Sequence, residues 1–171
     1  NGALHVGLPA SNGPSSLSIQ YTYSAHDDFD GAMSNGQTFI WPYFCGNLFP
    51  CKSTPAEGTR FTLALSGVPD DQRALFPAEI TAAAPADLLA WASGDYEYLD
   101  LGSTAAGTQV GAWHTQGNRG AAIIGTRPLR DSFEWLEATY GAYPFGFNVA
   151  SVSTPFDGDS FGGIEHHPLW H

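Results

Sequence analysis

Basic side chains are scarce in this chain: six Lys plus Arg stand against 17 Asp plus Glu, a formal net charge of −11 over 171 residues. Such a balance repels phosphate backbones, so nucleic acid is not expected as a partner. Apolar runs are short. None approaches the roughly 20 residues that cross a bilayer as a helix, so no membrane span is expected. No internal repeat is visible. The acids of H-D-D-F-D-G, starting at His26, lack the ligand spacing of an EF-hand loop and read as a solvated turn. The chain opens on Asn1 with neither an initiator Met nor a leader pattern. It is therefore expected to be a mature form, an excised domain or a proteolytic piece.

What the chain has in quantity is apolar and turn-forming residues. It is 43% apolar and 13% aromatic, as a folded globular protein is. Twenty glycines and twelve prolines point to many turns, hence to short strands more than long helices. The length suits one substantial core, or one small domain plus part of another.

The two cysteines, Cys45 and Cys51, enclose Gly46, Asn47 and Pro50. Those residues can turn the chain back on itself, so a local disulfide is the favoured reading. It would imply an extracytoplasmic or secreted location. A pair of buried thiols is the alternative. A metal site is disfavoured, since C-x5-C has no second half nearby.

Alternation locates the strands. Leu4, Val6 and Leu8 suggest a short edge strand. Leu17, Ile19, Tyr21 and Tyr23 suggest a half-buried one, and Phe61, Leu63 and Leu65 another. The aromatic stretch Thr38–Cys51 carries Pro42 and Pro50 and reads as an irregular segment. Ala74–Ile80 is a strand interrupted at Pro77, followed by a small-residue loop at Ala82–Pro85. The run Leu88–Trp91 suits a strand buried on both faces. Tyr96–Leu101 and Thr108–His114 flank a Gly-bounded loop and form a hairpin.

The texture changes near residue 115. Leu129, Phe133, Leu136 and Tyr140 fall on one helical face. Pro128 suits the first turn, Thr126 the N-cap and Gly141 the C-terminal stop. Asn118–Gly125 is an earlier helical turn or a loop. Phe147, Val149 and Ser151 give one more strand, and Thr154–Gly163 a loop. The expected fold is mostly β with one major helix, divided into a β-rich part, residues 1–114, and an α+β part, residues 115–171.

Reactive side chains concentrate in Ser160–His171, S-F-G-G-I-E-H-H-P-L-W-H. Three readings compete. His166, His167 and His171, with Glu165, could hold a metal; His167 and His171 are spaced i, i+4, but Pro168 interrupts them and no H-E-x-x-H is present. Alternatively, Gly162 and Gly163 admit a ligand close to the backbone, and Glu165 can accept from an ammonium group. The third reading is an edge strand with surface histidines.

The arrangement resembles the M1 family of zinc aminopeptidases. Gly162-Gly163-Ile164-Glu165-His166 is similar to that family's G-x-M-E-N motif, with Ile for Met and His for Asn. Tyr143-Pro144-Phe145 resembles its Y-P segment. Phe133, Trp135 and Leu136 fall where its helix carries aromatics. Leu88–Tyr96 is like its strand ending in G-D-Y. Leu48-Phe49-Pro50-Cys51 with Pro55 looks like F-P-C-x-D-x-P, with Ser53 in place of Asp.

The resemblance implies a β-saddle or sandwich of antiparallel strands leading into the start of a thermolysin-like catalytic domain. It also implies a peptide substrate, with Gly162, Gly163, Ile164, Glu165 and His166 binding it. Glu165 would hold its free α-amino group, and the glycine backbone would pair with it as an added strand. His166 in place of Asn puts the usual specificity in doubt. The implied cofactor is zinc, its ligands expected C-terminal to this chain, so no catalytic residue is assigned here. The remainder of the catalytic domain, in cis or as a second chain, is the other implied partner. A reading of another class is a secreted β-rich module that binds peptide or carbohydrate through Trp41 and Tyr43, against which stands burial of those rings in the core.

Overall fold

The computed structural model describes residues 5–8, 10, 12–26, 30–154 and 162–166, with the backbone alone of 169–170. Strands β1 (Gly31–Ala32) and β2 (Thr38–Phe39) form a small antiparallel pair. A 3-10 turn follows at Cys45–Asn47. Then come β3 (Thr59–Thr62), β4 (Arg73–Leu75) and β5 (Glu79–Ala84). A second 3-10 turn, Ala86–Leu88, precedes β6 (Ala92–Gly94). The long strands β7 (Tyr96–Ser103) and β8 (Gln109–Thr115) form a hairpin. Helices α1 (Arg119–Gly125) and α2 (Leu129–Tyr140) lead to β9 (Asn148–Val152), and β10 (Leu169–Trp170) closes the order. The fold is thus mostly β, with one broken helical stretch.

Strands β10, β9, β8 and β7 make a four-stranded sheet, and β3 with β5 and β4 with β6 make antiparallel pairs. The large sheet is mixed. Strand β9 runs parallel to β8, with Val110 opposite Val149, and β10 runs parallel to β9. A parallel neighbour needs a crossover, and α1 and α2 supply it. The sheet therefore takes β7 and β8 from one side of the change in texture at residue 115 and β9 and β10 from the other.

Period-two alternation gives this sheet two faces to bury. On one, Tyr96, Ala150 and Val152, with Trp113, pack against Leu75 of β4 and Ala92 of β6. On the other, Val110 and Val149 receive Phe133 of α2, flanked by Leu101, Leu129 and Tyr143. The sheet is the middle layer between a small sheet and the helices. A separate cluster joins Ala32, Ile40, Cys45, Leu48 and Ala86. Of these clusters' members, the larger ones such as Ile40, Leu48 and Phe133 contribute about 1.5–3 kcal/mol each when fully buried. Thr38 ties β2 to the chain before β6: its hydroxyl accepts from Trp91 N–H at 2.9 Å and donates to the Trp91 carbonyl at 3.2 Å.

Several sequence expectations change. Leu17, Ile19, Tyr21 and Tyr23 belong to no strand and are exposed; alternation is present, but no partner strand pairs with it among the described residues. Leu4 lies outside those residues, and Val6 and Leu8 are exposed and unpaired in any ladder. Strand β3 ends at Thr62, short of Leu65. The small residues Ala82–Ala84 complete β5 instead of forming a loop, because Ala84 pairs with Thr59 and is buried. The buried run near Leu89 is a 3-10 turn and an extended link, and the ladder begins only at Ala92.

The helix also differs. Thr126 closes α1, its hydroxyl donating to the Ala122 carbonyl at 2.7 Å, and Pro128 sits at the N-cap of α2. The buried face of α2 runs through Phe133 to Glu137, while Leu136 and Tyr140 are exposed. Gly141 ends the helix at φ +98°, where its N–H donates to the Glu137 carbonyl at 2.9 Å. That conformation suits glycine.

Candidate functional site

The segment Gly162–His166 is extended around an isolated β-bridge at Glu165. Its burial alternates. Ile164 is 7% exposed and His166 is completely buried, whereas Gly162, Gly163 and Glu165 face outward. In extended backbone, successive side chains point to opposite sides. Ile164 and His166 therefore anchor the segment, and Glu165 is left on its exposed side. Gly162 has φ +146°, which disfavours any side chain there, and among the described residues beyond its chain neighbours no atom lies within 4 Å of where its Cβ would be.

The five residues expected to bind substrate are thus in one run, though not in one role. His166 is core, not a surface histidine. His167 and His171 lie outside the described residues. Among the described residues, no three His, Cys, Asp or Glu side chains come together as a metal site. No described helix is long and apolar enough to cross a membrane.

Cys45 and Cys51 are joined as a disulfide, with 6.2 Å between their Cα atoms. Beside this loop Phe49 packs on the core cluster, but two other rings do not. Trp41 is 48% exposed and Tyr43 65%. Tyr43 holds φ +75°, an uncommon backbone state for a bulky residue. A cleft of about 780 Å³ is lined by Tyr21, Tyr23, Tyr43, Phe44 and Phe49 next to the disulfide.

Glu137 was not a candidate from the sequence. It is buried at the C-terminal end of α2 and accepts from the Thr104 and Thr108 hydroxyls, the latter at 2.6 Å, and from Tyr143 N–H at 3.3 Å. Desolvation raises its pKa, but these three donors outweigh it and hold the carboxyl below its ordinary value. The bonds pin the helix to the β7–β8 loop, a positioning role. An acid four residues after Phe133, on the same helical face, is the signal that could have revealed it.

No family model matches the sequence, and no curated protein matches it. Among solved structures, the chain is similar to an M1 zinc metallopeptidase from Deinococcus radiodurans, with a TM-score of 0.65 and 16% identity over 79% of this chain and 34% of that one. A point mutant of the same enzyme gives a TM-score of 0.64 at 16% identity, over 79% and 35%. The chain spans about a third of the length of these structures, and the likeness is one of fold.

Proposed function

We propose that this chain is the N-terminal part of an M1-like zinc metallopeptidase that removes N-terminal residues from peptides, with Glu165 gripping the free α-amino group. One observation carries the reading. In Gly162–His166, Ile164 and His166 are buried while Glu165 and the glycine backbone face out. A carboxylate held on an anchored extended segment can bind an ammonium group as a charge-assisted acceptor. The adjacent open backbone can pair with the peptide as an added strand. The fold likeness to an M1 zinc metallopeptidase supports the same reading.

In this reading residues 1–114 are a β-rich N-terminal domain and residues 115–171 open the catalytic domain, the two sharing the four-stranded sheet. The zinc ligands and the rest of the cleft belong to the remainder of the catalytic domain, in cis or on a second chain. The Cys45–Cys51 disulfide supports an extracytoplasmic or secreted location, since such bonds persist in oxidising compartments.

The test is Glu165→Ala in the full-length protein that contains this chain. Its kcat/KM on a peptide with a free N-terminus should fall on the order of 10- to 100-fold, the cost of losing one charge-assisted contact. An unchanged kcat/KM rejects the role of Glu165. Intact mass and zinc analysis of the natural protein test the wider reading: a complete product of this chain's size, without zinc, rejects it.

A second reading rests on the exposed rings of Trp41 and Tyr43. They support a β-rich module that binds peptide or carbohydrate without catalysis. Glycan and peptide binding that disappears in Trp41→Ala and Tyr43→Ala would favour it; no binding to either class would dismiss it.

A further inference from the structure

Another cleft, of about 470 Å³, lies between the β4–β5 connection and the sheet face of β7, β8 and β9, and Gly162–His166 contribute nothing to it. Its size falls within the roughly 300–1,000 Å³ of small-molecule sites. Phe76 lines one wall, and Tyr98 and Trp113 line another. Phe147, which is 78% exposed, lines it as well.

Tyr98 and Trp113 are register partners on β7 and β8. Their ring centroids are 4.7 Å apart and the planes meet at 50°, making a corner. The Tyr98 ring lies across Gly111: a Cβ there would come within 2.1 Å of the phenol oxygen. Glycine at that position is what lets the corner form. Glu79 also lines the cleft, and among the described residues no Lys, Arg or His does.

Rings with negative faces and a carboxylate, with no base among the described lining residues, favour a cation over an anion. A corner of two rings suits a compact head group, whereas a flat sugar ring stacks on a single plane. We propose that this cleft binds an alkylammonium group, with Tyr98, Trp113 and Phe147 as its walls and Glu79 as its counter-charge. The ligand is an organic cation carrying a tail, such as a free quaternary amine or a modified lysine side chain. The cleft's volume exceeds that of the head alone, leaving space for the tail.

The probe is choline, titrated into the full chain and followed by the indole N–H signal of Trp113 in NMR. Saturable binding is expected. It should weaken about tenfold in Glu79→Gln and several-fold in Phe147→Ala, in keeping with the loss of one charge or one ring. Both positions are exposed, so the fold should survive, which circular dichroism checks. Glu97→Gln, an exposed acid outside the cleft, should leave the affinity unchanged and so separates the site from the net charge. Choline's uncharged carbon isostere, dimethylbutanol, should bind at least about tenfold more weakly. Equal binding of the isostere, indifference to Glu79→Gln, absence of saturation, or saturation by a neutral monosaccharide instead would each overturn the proposal.

Discussion

Residues 96–152 and residues 30–95 use the same alphabet of strands and aromatic rings but are held together differently. The first region rests on long ladders. Strands of eight and seven residues pair across the β7–β8 hairpin, and α2 covers one face of the sheet they share. The second consists of short strands in two-stranded pairs. It is secured by particular links: the Cys45–Cys51 bond, the Thr38–Trp91 contacts and the bond from Ser93 N–H to the Gly36 carbonyl at 2.7 Å. A ladder spreads its stability over many bonds, while a set of links concentrates it in a few. The two regions should therefore fail in different ways.

The largest effect should come from the sheet-and-helix region. Phe133→Ala empties the contact between α2 and Val110 and Val149 and should cost about 3–5 kcal/mol in denaturant unfolding. A loss below about 1 kcal/mol would show that the helix is not a structural layer. Next comes the disulfide. Cys45→Ala with Cys51→Ala should cost about 2 kcal/mol, as removal of a short cross-link does. Hydrogen exchange should show lost protection in residues 30–95 and little change in residues 96–115. Equal losses in both would end the distinction between the regions.

Glu137→Gln should cost about 1–3 kcal/mol at neutral pH, since it exchanges a buried acceptor for a group that cannot serve all its donors. Its pH dependence has a definite sign. The folded carboxyl titrates below its unfolded value, so its contribution is complete above the ordinary carboxylate range. It is lost as pH falls through the lower folded value. Wild type and variant should therefore converge in stability on acidification, and a constant gap across that range would contradict the assignment. The smallest effect is expected from Leu136→Ala and Tyr140→Ala. Both residues are exposed, so each should stay within about 0.5 kcal/mol. A larger loss would mean that this face of α2 is covered.

Where the chain carries its own signals, the sequence was readable. The β7–β8 hairpin could be placed because alternation on both sides of Gly102–Gly107 needs no distant partner. The Cys45–Cys51 pairing could be read because it is local. Alternation failed at Leu17–Tyr23 because it says which side chains share a face, not whether a neighbouring strand is there. The parallel pairing of β8 with β9 was invisible for the same reason: register across a crossover is set by tertiary packing. Helical spacing pointed to Leu136 and Tyr140, but the face turns through Glu137, whose burial depends on hydroxyls in another element. Glu165 stood out through its likeness to a motif, and the alternating burial of Ile164 and His166 supplies a physical reason for its outward aim. The Tyr98–Trp113 corner was beyond reach, since it needs the register of two strands and a glycine beneath one ring.

The crossover between β8 and β9 also sets an order in time. Ser103 meets Gln109 across a short turn, so the hairpin can close early, with little entropy to overcome. Gln109 meets Asn148 only after a loop of roughly forty residues has been brought round, a far slower kind of contact. Until then Val110 has neither Val149 nor Phe133 against it, and the hairpin's apolar face stands open to water. The sheet's apolar face is therefore expected to stay uncovered until the crossover brings Phe133 and Val149 to it, a delay that pulsed hydrogen exchange would detect.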